Sequence, residues 1–145
     1  MPSFTKMEFL NIVAILGISR TGKSTLMNNV VGKEVFETSD GVKGCTQGVW
    51  VSNTAICTGN DAGVTIYVDT EGQGNSSTKT DCKLLMPVLL LSKVIIYNIT
   101  GKIAVGYVLE ELSLLVQISD SIISETLPVK LGHLIIAVRD YDLEG

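Results

Sequence analysis

The sequence predicts an α/β fold of the P-loop type, a three-layer sandwich on a mostly parallel sheet with helices on both faces. Three observations lead there. Short apolar runs alternate with stretches of helical periodicity, the pattern of βαβ units. The first run, Phe9 to Leu16 (FLNIVAIL), is almost continuously apolar, as expected of a strand covered on both faces. It opens directly into Gly17-Ile18-Ser19-Arg20-Thr21-Gly22-Lys23-Ser24, which satisfies G-x-x-x-x-G-K-[ST] at every fixed position.

The elements follow in order. Ser24 to Val31 predicts a helix after the glycine-rich turn, and residues 32–48, polar and punctuated by glycine, predict a surface loop. Val49 to Cys57 (VWVSNTAIC) and Val64 to Asp69 (VTIYVD) predict two strands, with hairpin-turn chemistry in the intervening TGNDAG. A second polar loop, Thr70 to Thr80, leads into an apolar helix near Asp81 to Leu91 and a buried strand at Lys93 to Asn98. From Val105 to Ile123 the apolar residues Val108, Leu109, Leu112, Leu115 and Val116 recur at helical spacing. Leu134 to Val138 (LIIAV) closes the sheet as a fifth strand, and the expected strand order is 2-3-1-4-5.

A chain of 145 residues fits one domain, 1–145. With 46% hydrophobic and 18% charged residues, a disordered or collagen-like chain is excluded. The balance of 11 basic against 15 acidic residues, net −4, argues against a general nucleic-acid or anionic-membrane binder. Cys45, Cys57 and Cys82 show no CxxC spacing, which speaks against a disulfide framework or a zinc site and for a reducing, cytoplasmic setting. Leu84 to Ile99, the most apolar region, is interrupted by Pro87 and Lys93 and falls short of the roughly 20 residues a membrane span needs. With His133 as the single histidine, a hydrolase built on a Ser–His or Cys–His pair has little basis. Trp50 is expected to pack between the loop before it and the sheet.

The chemistry of the first loop explains its spacing. Glycine lets the backbone curl so that successive N–H groups face phosphate oxygens, and the helix that follows aims its positive end at the same anion. Lys23 is placed to neutralise β- and γ-phosphate charge, and the Ser24 hydroxyl to ligate Mg²⁺. The nucleotide-binding set is Gly17, Ser19, Arg20, Thr21, Gly22, Lys23, Ser24 and Thr25. In Val68-Asp69-Thr70-Glu71-Gly72 an apolar strand ends in an aspartate followed by glycine, which puts Asp69 on the Mg²⁺ water shell and adds Gly72 to the nucleotide set.

Four segments together resemble the GB1/RHD3-type GTPase domain of guanylate-binding proteins and atlastins, members of the dynamin superfamily. They are Gly17 through Asn28, Gly44-Cys45-Thr46-Gln47-Gly48-Val49-Trp50, Asp69-Thr70-Glu71-Gly72, and Arg139-Asp140. The resemblance implies Mg²⁺-dependent GTP binding and hydrolysis, with switch loops at 36–48 and 70–80. Thr46 is then the switch I threonine that reaches Mg²⁺, and Glu71 organises the catalytic water network. Arg20 is an arginine finger supplied in cis when two G domains meet as a homodimer. The usual N/T-K-x-D base-reading motif is absent, and Arg139-Asp140 takes its place, the Asp140 carboxylate accepting from guanine N1–H and N2–H₂; Asp142 competes for that role. Where guanylate-binding proteins commonly carry a serine two residues before the switch threonine, this chain has Gly44, which implies slower hydrolysis or the use of backbone groups. The family continues past the R-D motif with a guanine cap, a last strand and helix and a helical stalk, so a domain incomplete at its C-terminus is expected. A non-catalytic G-domain scaffold and a P-loop ATPase are the alternatives.

Overall fold

Strand β1 (Phe9–Leu16) lies in the middle of the sheet because its residues are apolar on both sides. Ile12, Ala14 and Leu16 join one core, while Val13 and Ile15 join the other. It is followed by α1 (Lys23–Val31), β2 (Val49–Val51), β3 (Ile56–Cys57), β4 (Gly63–Thr70), α2 (Thr78–Leu91), β5 (Val94–Thr100) and β6 (His133–Arg139). The computed structural model describes residues 9–38, 48–57, 63–70, 78–101, 113, 116, 117, 120 and 131–140, with the backbone alone at 57 and 78–84.

The sheet runs β2-β4-β1-β5-β6, with β3 also paired to β4. β1, β4, β5 and β6 are mutually parallel, whereas β2 and β3 run antiparallel to β4. With β2 and β3 counted as one predicted strand, this is the expected order. Their separation has a local cause. Ser52 donates its N–H to the Tyr67 carbonyl at 2.8 Å, and its hydroxyl then takes the Tyr67 N–H at 3.1 Å, the place a ladder carbonyl would fill. The Ser52 side chain therefore stands in for backbone, and the strand breaks there.

Helix α1 covers one face of the sheet over Ile15, Tyr67 and Ile96, with Met27 and Phe36 filling the space between. Trp50 packs at the margin of the same core; the loop expected on its other side lies mostly outside the described residues. On the opposite face Leu85, Val88 and Leu89 of α2, spaced at i, i+3 and i+4, close over Ala14, Leu16, Val68, Ile95 and Tyr97. Helix, sheet and helix form the three layers. Helix α2 begins at Thr78 rather than near Asp81, and Thr70 ends β4, so the predicted 70–80 loop is shorter at both ends. In the predicted 36–48 loop, Phe36 is buried and tied to Asn28, and residues 39–47 lie outside the described residues.

Two expectations of burial need correction. The first half of β1 is not covered on both faces: Phe9 and Leu10 are 63% and 50% exposed, whereas Ala14, Ile15 and Leu16 are at 0%. Of the apolar positions predicted on the later helix, Val116 is exposed, and Ser113, Gln117 and Asp120 share its outward face. Val108, Leu109, Leu112 and Leu115 lie outside the described residues. Among those residues, no helix is long and apolar enough to cross a membrane.

Candidate functional site

The parallel strands all point their C-terminal ends to one edge, where ligands of open α/β sheets bind. The loop after β1 curls at that edge. Gly17, at φ +137°, passes so close to β5 that a Cβ on it would stand 2.4 Å from the Asn98 carbonyl oxygen. Arg20 and Gly22 follow in the left-handed region, at φ 65° and 68°. For arginine that conformation costs about 1 kcal/mol, and it leaves the side chain exposed at the loop's crest.

Beneath the crest the chain folds back on itself. The Thr21 hydroxyl and the Lys23 ammonium both donate to the Ile18 carbonyl, each at 2.9 Å. Lys23 is buried, so its charge lies under the curl rather than in solvent. Helix α1 starts at the same residue with Gly22 as its N-cap; no side chain caps it and no acidic residue occupies its first turn. The positive end of the helix thus faces the hollow of the loop.

Ser24 turns toward β4, where its hydroxyl donates to Asp69 Oδ2 at 2.6 Å. Asp69 is fully buried opposite Ile15 in the β1–β4 register, and the neighbouring Thr70 hydroxyl ties the two strands by donating to the Ile15 carbonyl at 2.8 Å. A hydroxyl and a carboxylate oxygen side by side at a strand end are a hard-oxygen donor pair that suits Mg²⁺. Among the described residues no group of three His, Cys, Asp or Glu competes for a metal.

The far strands close the loop from behind. Asn98, fully buried in β5, donates through Nδ2 to the Thr21 carbonyl at 2.7 Å, and its Oδ1 accepts from Arg139 Nε at 3.0 Å. Arg139 Nη2 donates to the same Thr21 carbonyl and, at 3.4 Å, to that of Gly22. The guanidinium of Arg139 therefore lies against the phosphate-loop backbone, and Asp140, exposed at φ 52°, stands at the strand's outer end. Sequence reasoning missed Asn98, whose one signal is a polar residue interrupting the apolar run KVIIYNI at a strand end. It also missed the anchoring role of Asn28, which accepts from the Val35 and Phe36 N–H groups and donates to the Phe36 carbonyl, fixing the chain that leaves α1.

The structure thus gathers Gly17, Ser19, Arg20, Thr21 and Gly22 in one loop and Lys23, Ser24 and Thr25 in the first turn of α1, with Asp69 and Arg139 against them and Asp140 at the margin. Gly44, Cys45, Thr46, Glu71, Gly72 and Asp142 lie outside the described residues. His133 is exposed at the opposite end of β6.

The family model of the guanylate-binding protein N-terminal domain matches residues 4–143, nearly the whole chain. The chain belongs to the guanylate-binding protein family. Among its relatives, guanylate-binding protein 2 of Rattus norvegicus is 31% identical over 150 residues, covering 92% of this chain and 25% of the relative. Guanylate-binding protein 5 of Homo sapiens is 37% identical over 100 residues, covering 66% of this chain and 17% of the relative. The chain therefore spans a quarter or less of the length of these relatives. In fold it is similar to the crystal structure of Era in complex with MgGDPNP and a 16S ribosomal RNA segment, at a TM-score of 0.50 and 20% identity over 90% of this chain and 51% of Era. The guanylate-binding protein domain is of the GTPase type, and the α/β P-loop architecture expected from the sequence is the one found.

Proposed function

We propose that this chain binds GTP with Mg²⁺ and hydrolyses it to GDP and phosphate, as a single G domain. The observation that carries the reading is the curl from Gly17 to Ser24, with the Lys23 charge buried beneath it and a helix N-terminus opening into it.

Lys23 and the first amides of α1 bind the β- and γ-phosphates. Ser24 and Asp69, with Thr46 from the switch I segment, would hold Mg²⁺, which would supply neutralisation of phosphate charge. Arg20, already turned outward at the crest, reaches the same oxygens when a second G domain closes on it as a homodimer, and its planar guanidinium bridges them as charge moves to the leaving group. Glu71 orients the attacking water. The water oxygen bonds to the γ-phosphorus, the bond to the β–γ bridging oxygen breaks, and the water proton ends on the released phosphate. Gly72 would complete the nucleotide set, and Asp140 selects guanine by accepting from N1–H and N2–H₂, a donor pair adenine does not offer.

Titration of the chain with fluorescent GTP and ATP analogues, with and without Mg²⁺, tests the reading. Tight Mg²⁺-dependent binding of GTP over ATP is expected, with the preference lost in Asp140→Ala. Preferential ATP binding, or no binding at all, overturns it.

A further inference from the structure

The hydrogen bonds between β5, β6 and the phosphate loop do more than brace the sheet. We infer that Asn98 and Arg139 form a latch that aims the Gly22 and Lys23 amides into the phosphate hollow, which makes Arg139 a positioning residue for the phosphates rather than a reader of the base. The inference rests on the proposed nucleotide site and adds to it a residue, Asn98, and a different task for Arg139.

Among the described residues every peptide bond is trans, so each C=O points opposite to the N–H of the next residue. The Thr21 carbonyl is held from behind by Asn98 Nδ2 and Arg139 Nη2, which turns the Gly22 N–H the other way, into the curl. The Gly22 carbonyl accepts from Leu26 N–H at 3.0 Å and from Arg139 at 3.4 Å, which does the same for the Lys23 N–H. The Arg139–Asn98 bond at 3.0 Å closes the triangle, so neither side chain can move without the other.

The two fixed glycines of the loop fit the same arrangement from the other side. A Cβ on Gly22 would stand 2.9 Å from Arg139 Nη2, and one on Gly17 would strike the Asn98 carbonyl. The positive φ of both residues calls for glycine, and at Gly17 the approach of the Asn98 backbone does so independently, whereas at Gly22 the neighbour is the movable end of the Arg139 side chain. Asn98 is neutral, which separates this role from simple attraction between Arg139 and phosphate charge.

The test is a double-mutant cycle on the full chain, read by titration with fluorescent GTP, GDP and ATP analogues and by hydrogen exchange of the phosphate-loop amides without nucleotide. Asn98→Ala and Arg139→Ala are each expected to weaken GTP and GDP alike by about tenfold, and the double variant no further, because either change opens the whole triangle. The preference for GTP over ATP is expected to stay at its wild-type value, and the Gly22 and Lys23 amides to exchange faster in both variants. Loss of the GTP preference in Arg139→Ala overturns the proposal in favour of a base contact. Unchanged affinity in Asn98→Ala beside a weakened Arg139→Ala overturns it in favour of charge alone. Additive losses overturn it too. Arg139→Lys, which keeps the stem and the charge but has no planar fork, replaces the alanine variant should that one unfold, and the same pattern is expected. If the wild-type chain binds no nucleotide, the GTPase reading falls, while the exchange rates still decide whether the latch holds the loop.

Discussion

The two ends of this sheet invert the usual distribution of polarity. At the edge where β1 and β4 end and β5 passes the phosphate loop, Asp69, Thr70, Asn98 and Lys23 are buried. Across the whole length of β6, by contrast, Leu134, Ile135, Ile136 and Val138 are each about half exposed. Buried polar groups are costly unless hydrogen-bonded, and exposed aliphatic ones are merely unrewarded. The first region is therefore held by a specific set of partners, and the second is tolerated. The proposed site lies where the chain bears the cost of burying charge, not where it leaves apolar surface open.

This contrast can be broken by substitution. The largest difference is expected between Leu16→Ala and Ile136→Ala. The first should lower unfolding free energy by about 2–5 kcal/mol and the second by less than about 1 kcal/mol, measured by urea denaturation. Equal losses would mean that β6 is packed as tightly as β1. Next in size is Lys23→Ala, expected to weaken GTP binding by about 100-fold in an analogue titration through loss of charged hydrogen bonds to phosphate. Retained affinity would show that the buried ammonium has no part in binding.

Arg20→Gly sharpens the comparison within the loop itself. Removing the side chain from a left-handed position is expected to raise stability by about 0.5–1 kcal/mol, while phosphate release slows. A faster or unchanged release rate would remove Arg20 from catalysis. The smallest effect belongs to Ile135→Lys on β6, expected to stay within about 0.5 kcal/mol of wild type by the same denaturation assay. A larger loss would show that a neighbouring surface covers that position.

What the sequence made legible follows from the range of the interactions. Gly17, Gly22, Lys23 and Ser24 declare themselves because their requirements are local: a curl, an N-cap and a helix start within eight residues. Strand order was readable because apolar runs joined by helical stretches form parallel βαβ units, while the turn residues between Cys57 and Val64 mark a hairpin. Asn98 and the inward turn of Arg139 were not, since their partner Thr21 lies 77 and 118 residues away and nothing near them in the chain reports it. Nor does local composition show that the Ser52 hydroxyl will replace a ladder carbonyl and divide one predicted strand into β2 and β3. Phe9, Leu10 and Val116 mark the other limit, for apolar character states a preference for burial without naming a neighbour to supply it.

The long span between Thr21 and Arg139 also sets an order of events during synthesis. The phosphate loop leaves the ribosome before β5 and β6, yet two of the donors that fix its carbonyls belong to those later strands. Local curling and the first turn of α1 can form early, but closing so distant a contact carries a large entropic cost that only the assembled parallel sheet offsets. A nascent chain released before β6 emerges would carry the signature motif without the support behind it, so the loop is translated ahead of the strands that complete its architecture.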